Sequence, residues 1–168
     1  MKRLVADTGP ILHLHQAGAL HLLPLVGDVS VTSTVLDEVR RHAPELWPAS
    51  LPSWARLISL SAPATRRAAE WRQAGLLHSG EAEALAFASE SRPDWFLTDD
   101  AAARLMAGSL GLEAHGSLGV VLWTAGQGLI QQPEAESCLG GLEASTLWLS
   151  PAVKTQARVA LNNIYPIN

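Results

Sequence analysis

Acidic residues carry the chemical interest of this sequence. Asp7 follows the apolar run Leu4-Val5-Ala6, and Asp99-Asp100 follow Trp95-Phe96-Leu97-Thr98. Short apolar runs that stop on aspartate read as buried strands whose acids emerge at the carboxyl ends. Glu38 lies three residues after Val35 and one before Val39, so it borders the apolar stripe of a helix. Glu81 is in line with Ala84, Leu85 and Ala88, at i+3, i+4 and i+7, and also leans inward. Asp37 falls on the opposite side of its helix, and Glu83 lines up with Phe87 and Glu90 on a mixed face.

Taken singly, each acid has an ordinary structural use. A carboxylate in the first turn of a helix stabilises the macrodipole by roughly 0.3–1 kcal/mol. Asp99 or Asp100 fits an N-cap, and Asp7 before Gly9-Pro10 fits a turn. Together they are harder to place. Four acids about 4 Å apart at one sheet edge repel by about 4 kcal/mol per pair at an effective dielectric of 20. Such a cluster is tolerable only with raised pKa values or a bound cation. Oxygen donors select Mg²⁺ or Mn²⁺ over zinc. The single cysteine, Cys138, excludes a thiolate-rich zinc site and any internal disulfide.

The elements that must position these acids alternate. Residues 3–6 read as a strand, and Gly9-Pro10 as a turn whose proline suits a first helical position. Residues 11–25 read as two short helices divided near Gly18 and closed near Gly27, and the β-branched run 29–32 as a strand. Thr34-Val35-Leu36-Asp37 fits a capping box that opens a helix to about His42. The stretch 43–63 is the least regular, with Pro44, Pro48, Pro52 and Pro63, and room for a strand over 56–60. Helices follow over 65–74 and from Ser79 to near Pro93, then the strand 95–98, a helix to about Leu110, a short strand at 112–114 and a helix over 117–125. The last forty residues read as helices, with Trp148 and Tyr165 as anchors. Strands alternating with helices predict a parallel sheet flanked by helices on both faces. In such sheets the functional crevice lies beyond the carboxyl ends of the strands.

Composition narrows the class. At 168 residues the chain suits one compact domain. Apolar residues make up 48%, which supports a sizeable core, and only 17% are charged, which hints at surface covered by a partner. The net charge of −4 excludes a uniformly basic nucleic-acid binder. The basic residues are nevertheless uneven: Arg40, Arg41, Arg56, Arg66, Arg67 and Arg72 face only Glu45 and Glu70 in the same stretch, which also holds Trp47, Trp54 and Trp71. Met1-Lys2-Arg3 resembles the start of a signal segment, but Asp7, Gly9-Pro10 and His13 break the apolar stretch after it, and no apolar run approaches the roughly 20 residues of a membrane span. The expectation is a cytoplasmic protein that does not enter a membrane.

The order and spacing of these segments resemble the PIN-domain family of metal-dependent ribonucleases, including the toxin halves of bacterial VapBC-type toxin–antitoxin pairs. The matching stretches are Val5-Ala6-Asp7-Thr8-Gly9-Pro10, Val35-Leu36-Asp37-Glu38-Val39, Gly80-Glu81-Ala82-Glu83-Ala84-Leu85-Ala86 and Leu97-Thr98-Asp99-Asp100. His115-Gly116-Ser117-Leu118-Gly119-Val120 is similar to the end of a subgroup that carries Gly-Glu-Ala-Glu-Ala. The resemblance covers about residues 3–130 and implies a three-layer α/β/α sandwich with a central, mainly parallel sheet. It implies a nuclease domain over 1–130, with 131–168 as a helical extension packed on it.

Carried over position by position, the resemblance implies Asp7, Glu38, Glu81 and Asp100 as the acidic quartet. Asp7, Asp99, Asp100 and Glu81 are then the candidate ligands of one or two Mg²⁺ or Mn²⁺ ions, with Thr8 and Thr98 in support. Glu81 stands where many members carry aspartate, and Asp100 is preferred to Asp99 because it lies two residues after the threonine. The activity implied is endonucleolytic hydrolysis of RNA, with a small antitoxin covering the pocket and a homodimer as the expected assembly. Arg40, Arg41, Arg66, Arg67 and Arg104 are the candidates to hold the RNA backbone, and Trp47, Trp54 or Trp71 either stack bases or pack inside. Arg104 alternatively pairs with Asp100 at i+4. Two other readings keep the fold: a non-catalytic RNA- or protein-binding module, and a structure-specific DNA nuclease.

Other constellations fail on spacing. His13 and His15, two apart on a helix, do not share a face and cannot chelate together, so they read as surface or partner-facing residues. Gly9 stands where a haloacid-dehalogenase-type phosphatase needs a second aspartate, and no lysine lies between Lys2 and Lys154 to serve a response-regulator receiver. A Walker loop and a Gly-x-Ser-x-Gly elbow are both absent.

Overall fold

A central strand, β1 (Lys2–Ala6), organises a five-stranded sheet of order β3-β2-β1-β4-β5 in which every neighbouring pair is parallel. The other strands are β2 (Gly27–Thr32), β3 (Ala55–Ile58), β4 (Trp95–Leu97) and β5 (Ala114–His115). This is a computed structural model that describes residues 1–166. Leu4, Val5 and Ala6 are consecutive and all buried, which requires helices on both faces of the sheet.

Those helices form two layers. Between β1 and β2 run α1 (Thr8–Gln16), a 3₁₀ turn at Leu20–Leu22 and α2 (Leu23–Val26). After β5 come α7 (Ser117–Gly126), α8 (Gln132–Ala144) and α9 (Pro151–Ile164), and α7 packs on α1, α2, α8 and α9. The opposite layer contains α4 (Ala62–Gln73), α5 (Ser79–Ser91) and α6 (Ala101–Ser109), while α3 (Ser33–His42) touches both α1 and α5. The small residues Ala82, Ala86 and Ala88 let α5 lie close against β1 and β2, with Leu85 fully buried between them. Cys138, Leu139, Leu142, Ala157 and Leu161 bring α8 and α9 into the same apolar cluster as the sheet. Among the described residues no helix is long and apolar enough to cross a membrane.

The strand order creates the crevice. From β1 the chain steps outward through β2 to β3, whereas β4 starts on the other side of β1 and leads to β5. The carboxyl ends of β1 and β4 therefore diverge into helices on either side of a gap, the usual ligand position in a parallel sheet. In register, Ala6 faces Leu97, which puts Asp7 and Thr98 side by side at the start of that gap.

Three local expectations are corrected. The cap of α3 is Thr32, whose hydroxyl accepts from Val35 N at 3.3 Å; Thr34 is already helical and Asp37 is exposed. Because β2 stays extended through Thr32, the threonine that meets the first turn is the last residue of the strand. The final strand sits at 114–115 and not 112–114, since Ala114 and His115 pair with Phe96 and Leu97 while Leu112 turns into the core. Tyr165 does anchor the C-terminal helix, its hydroxyl donating to Ile130 O at 2.7 Å, but Trp148 is 81% exposed and anchors nothing.

Candidate active site

The first residue after β1 sets the site. Asp7 is extended and caps α1, so one oxygen, Oδ1, accepts from Gly9 N at 3.1 Å. Its Oδ2 accepts from Thr98 Oγ1 at 2.5 Å, and Asp7 N donates to Leu97 O, which joins the ends of β1 and β4. The residue is only 2% exposed. Burial pushes its carboxyl well above the usual range, and the charges of Asp99 and Glu81 push the same way, while Thr98 and Gly9 N pull it back.

Asp7, Glu81, Asp99 and Asp100 line one cavity of about 360 Å³, together with Gly9, His13 and the segment Thr146-Leu147-Trp148. Asp100 caps α6 through Oδ1, which accepts from Ala103 N at 2.7 Å, and its own N–H donates to Thr98 Oγ1. Glu81 Oε2 accepts from His78 N at 3.0 Å, an ordinary first-turn contact. Asp99 Oδ1 accepts from Ser117 N at 2.7 Å, and Oδ2 accepts from Ser117 Oγ at 2.6 Å and contacts His13 Nδ1 at 2.7 Å. The carboxylate of Asp99 thus rests on the N-terminus of α7, where the helix dipole favours negative charge.

Glu38 is not in this cavity, contrary to its expected place in a quartet. It lies behind the wall: Oε2 accepts from Thr8 Oγ1, and Oε1 accepts from Gly80 N at 3.2 Å. A Cβ on residue 80 would collide with Glu38 Oε2, so glycine leaves the room that the carboxylate occupies. Glu38 ties the starts of α1 and α5 together from α3, and those two starts carry Asp7 and Glu81. The expected cage is also looser than the 4 Å cluster assumed from sequence. Among the described residues no three His, Cys, Asp or Glu side chains converge closely enough to enclose an ion by themselves. The reason is visible in the bonds above: each acid takes N–H or O–H donors of its own neighbourhood, which holds like charges around a cavity and not at its centre.

The basic candidates divide. Arg104 borders the site, with Nη2 donating to Thr98 O at 3.1 Å, and it makes no ion pair with Asp100. Arg40 is turned to Trp47 O and Arg67 to Ser89 Oγ, whereas Arg41 and Arg66 are exposed, and none of these four lines the cavity. Trp47 packs edge-on against Trp54 with centroids 5.8 Å apart, and Trp71 lies half-buried against the core.

His13, Ser117 and Trp148 belong to the site although the sequence pattern did not single them out for it. For His13 a signal was present, since it lies one turn beyond Gly9 on the helix that Asp7 caps. His15 points elsewhere, to Glu45 at 2.8 Å. Ser117 opens α7 just after β5, but its meeting with Asp99 is tertiary. Trp148, expected as an anchor of the C-terminal helices, comes to the site from the α8–α9 connection.

A search of the curated proteins gives no match. A family model described as a PIN domain matches residues 3–163, which includes every acid of the cavity and most of the C-terminal helices. With acids from two adjacent strand ends gathered at the switch point of an all-parallel sheet, and with this match over nearly the whole chain, the protein belongs to the PIN-domain family.

Proposed function

We propose that this protein is a Mg²⁺- or Mn²⁺-dependent endoribonuclease and the toxin half of a toxin–antitoxin pair. PIN domains are generally nucleases and typically use divalent metal ions. The observation that carries the reading is Asp7, a carboxylate buried at the floor of a cavity rimmed by three further acids, where its charge has no cationic partner among the described residues. A hard cation is the partner such a donor set suits. Every donor at hand is oxygen apart from His13, which is engaged with Asp99, and a magnesium-like ion commonly takes one or two carboxylates and keeps several waters. The wide spacing of the acids fits that mode better than a closed protein cage.

In this reading Asp7 and Asp100 are the primary ligands, because Asp100 Oδ2 has no hydrogen-bond donor among the described residues. Glu81 and Asp99 hold waters or a second ion. Thr98 orients Asp7, while Thr8 and Glu38 position the two helix starts. When bound, the ion supplies an activated water and neutralises charge that develops on the phosphate. Arg104 lines the adjoining cavity, where it meets the strand beside that phosphate. The antitoxin and dimer contacts find support in the apolar side chains left on the surface, among them Leu57, Leu76 and Leu105.

The test is incubation of purified protein with RNA and Mn²⁺, beside Asp7→Asn and a flapped DNA competitor. Cleavage of RNA by the wild type alone supports the reading. Equal cleavage by Asp7→Asn ends it, and preference for the flap makes the protein a DNA nuclease. A binding module without catalysis is the alternative outcome, in which Mn²⁺ titration by calorimetry gives no heat that depends on Asp7 and Asp100.

A further inference from the structure

A second cavity, also about 360 Å³, adjoins the acidic one and shares Asp99, Leu147 and Trp148 as a common wall. Its size falls within the range of about 300–1,000 Å³ typical of small-molecule sites. Its character differs. Leu118, Leu122 and Val153 give it an apolar floor, and Arg104 and His115 give it polar edges. Arg104 is exposed, has no carboxylate within ion-pair distance among the described residues, and spends one N–H on Thr98 O.

Trp148 stands on the ridge between the two cavities with 81% of its surface exposed. Exposure of a tryptophan on a loose loop would mean little, but this connection is tied down. Thr146 N and Oγ1 both donate to Gln16 Oε1, at 3.0 and 2.8 Å, which fastens it to α1. Leu147 N donates to Ser145 Oγ at 3.1 Å, and Ser150 Oγ accepts from Val153 N to cap α9. The backbone is held on both sides of the indole, so the ring is displayed and not stowed.

We infer that this second cavity is a nucleobase subsite, in which Trp148 stacks on the base next to the phosphate held at the acidic cavity. The inference rests on the nuclease reading for its ligand class. The occupant is argued from continuity and charge. A nucleotide strand must place a base within one residue of any phosphate at the acids, and the adjoining concavity offers a π face, an apolar floor and hydrogen-bond donors for a base edge. Among the described residues Arg104 is the one Arg or Lys that lines either cavity, and it stands where a second phosphate of the same strand would pass. Aromatic stacking accepts any base, so the subsite sets strand polarity and register more than sequence.

The experiment is fluorescence anisotropy of a labelled single-stranded hexaadenylate with Ca²⁺ present, together with six versions of it carrying one abasic position each. Trp148→Ala weakens binding about tenfold or more, and Trp148→Tyr stays within about threefold of wild type. One abasic position reproduces the loss in wild type and has no further effect in Trp148→Ala. Unchanged binding by Trp148→Ala overturns the inference, as does an abasic series in which all positions behave alike. If Trp148→Ala instead leaves RNA binding intact and changes the mass seen by light scattering, the ring belongs to a contact between copies of the chain and the inference fails. Failure here is separable from failure of the nuclease reading: cleavage with a silent Trp148 removes only the subsite, and Trp148-dependent binding without cleavage removes only the nuclease.

Discussion

Thr98 Oγ1 donates a 2.5 Å hydrogen bond to Asp7 Oδ2, linking the residues that immediately follow two adjacent parallel strands. The same hydroxyl oxygen accepts from Asp100 N, so one side chain orders two of the cavity's acids.

Thr98→Val keeps the shape of this side chain and removes both bonds. The expected loss is about 1–3 kcal/mol in urea unfolding, the range for stranding a buried polar group. Thr98→Ser recovers most of it. A Thr98→Val protein as stable as wild type would mean that the bond to Asp7 contributes nothing.

Asp7 gives a pH dependence whose sign follows from its raised carboxyl. The native state then holds a proton that the unfolded chain has already released, so metal-free stability falls as pH rises from the ordinary carboxylate range to the native pKa. Asp7→Asn keeps a good N-cap and removes the titration. In EDTA the variant melts higher than wild type near neutral pH, and the gap closes in acid. Parallel melting curves across pH would contradict the assignment.

Mn²⁺ added to metal-free wild type raises the melting temperature. Stabilisation reaches about 2.7 kcal/mol at a hundred times the dissociation constant. Asp7→Asn and Asp100→Asn lose this response, whereas Glu38→Gln retains most of it because Glu38 does not line the cavity. Differential scanning fluorimetry of the four proteins checks the order, and a Glu38→Gln response as weak as that of Asp7→Asn would place Glu38 among the ligands.

Gly80→Ala drives a methyl group into the Glu38 carboxylate. The carboxylate ends a flexible side chain and can turn aside, so the cost is about 1 kcal/mol, the worth of its hydrogen bond to Gly80 N. Glu38→Ala costs stability alone but opens the same space, so the double variant is less destabilised than the two losses added together. Chemical denaturation of the four members of the cycle measures the coupling, and strict additivity would deny the contact.

Much of this arrangement was legible beforehand because it follows from local patterns. Leu4-Val5-Ala6 and Trp95-Phe96-Leu97 announce buried parallel strands, and a strand that ends on aspartate before a helix leaves that acid at the carboxyl edge. The inward lean of Glu38 and Glu81 followed from helical spacing. Whether two inward carboxylates reach the same cavity does not, since side chains one turn apart on different helices separate by several ångströms with a small change in packing. Glu38 was captured by Thr8 and Gly80 N, and Glu81 kept the rim.

The sequence by itself determined the alternating elements, their apolar faces and the residues that end β1 and β4, because strand and helix periodicities are short-range. Only the tertiary structure decided which oxygens are spent on caps and which face the cavity, that His13 and Ser117 hold Asp99, and that the α8–α9 connection carries Trp148 to its mouth. Those contacts join residues as far apart as Gln16 and Thr146. Nothing local encodes such a meeting, which is fixed by how the helices pack on the sheet.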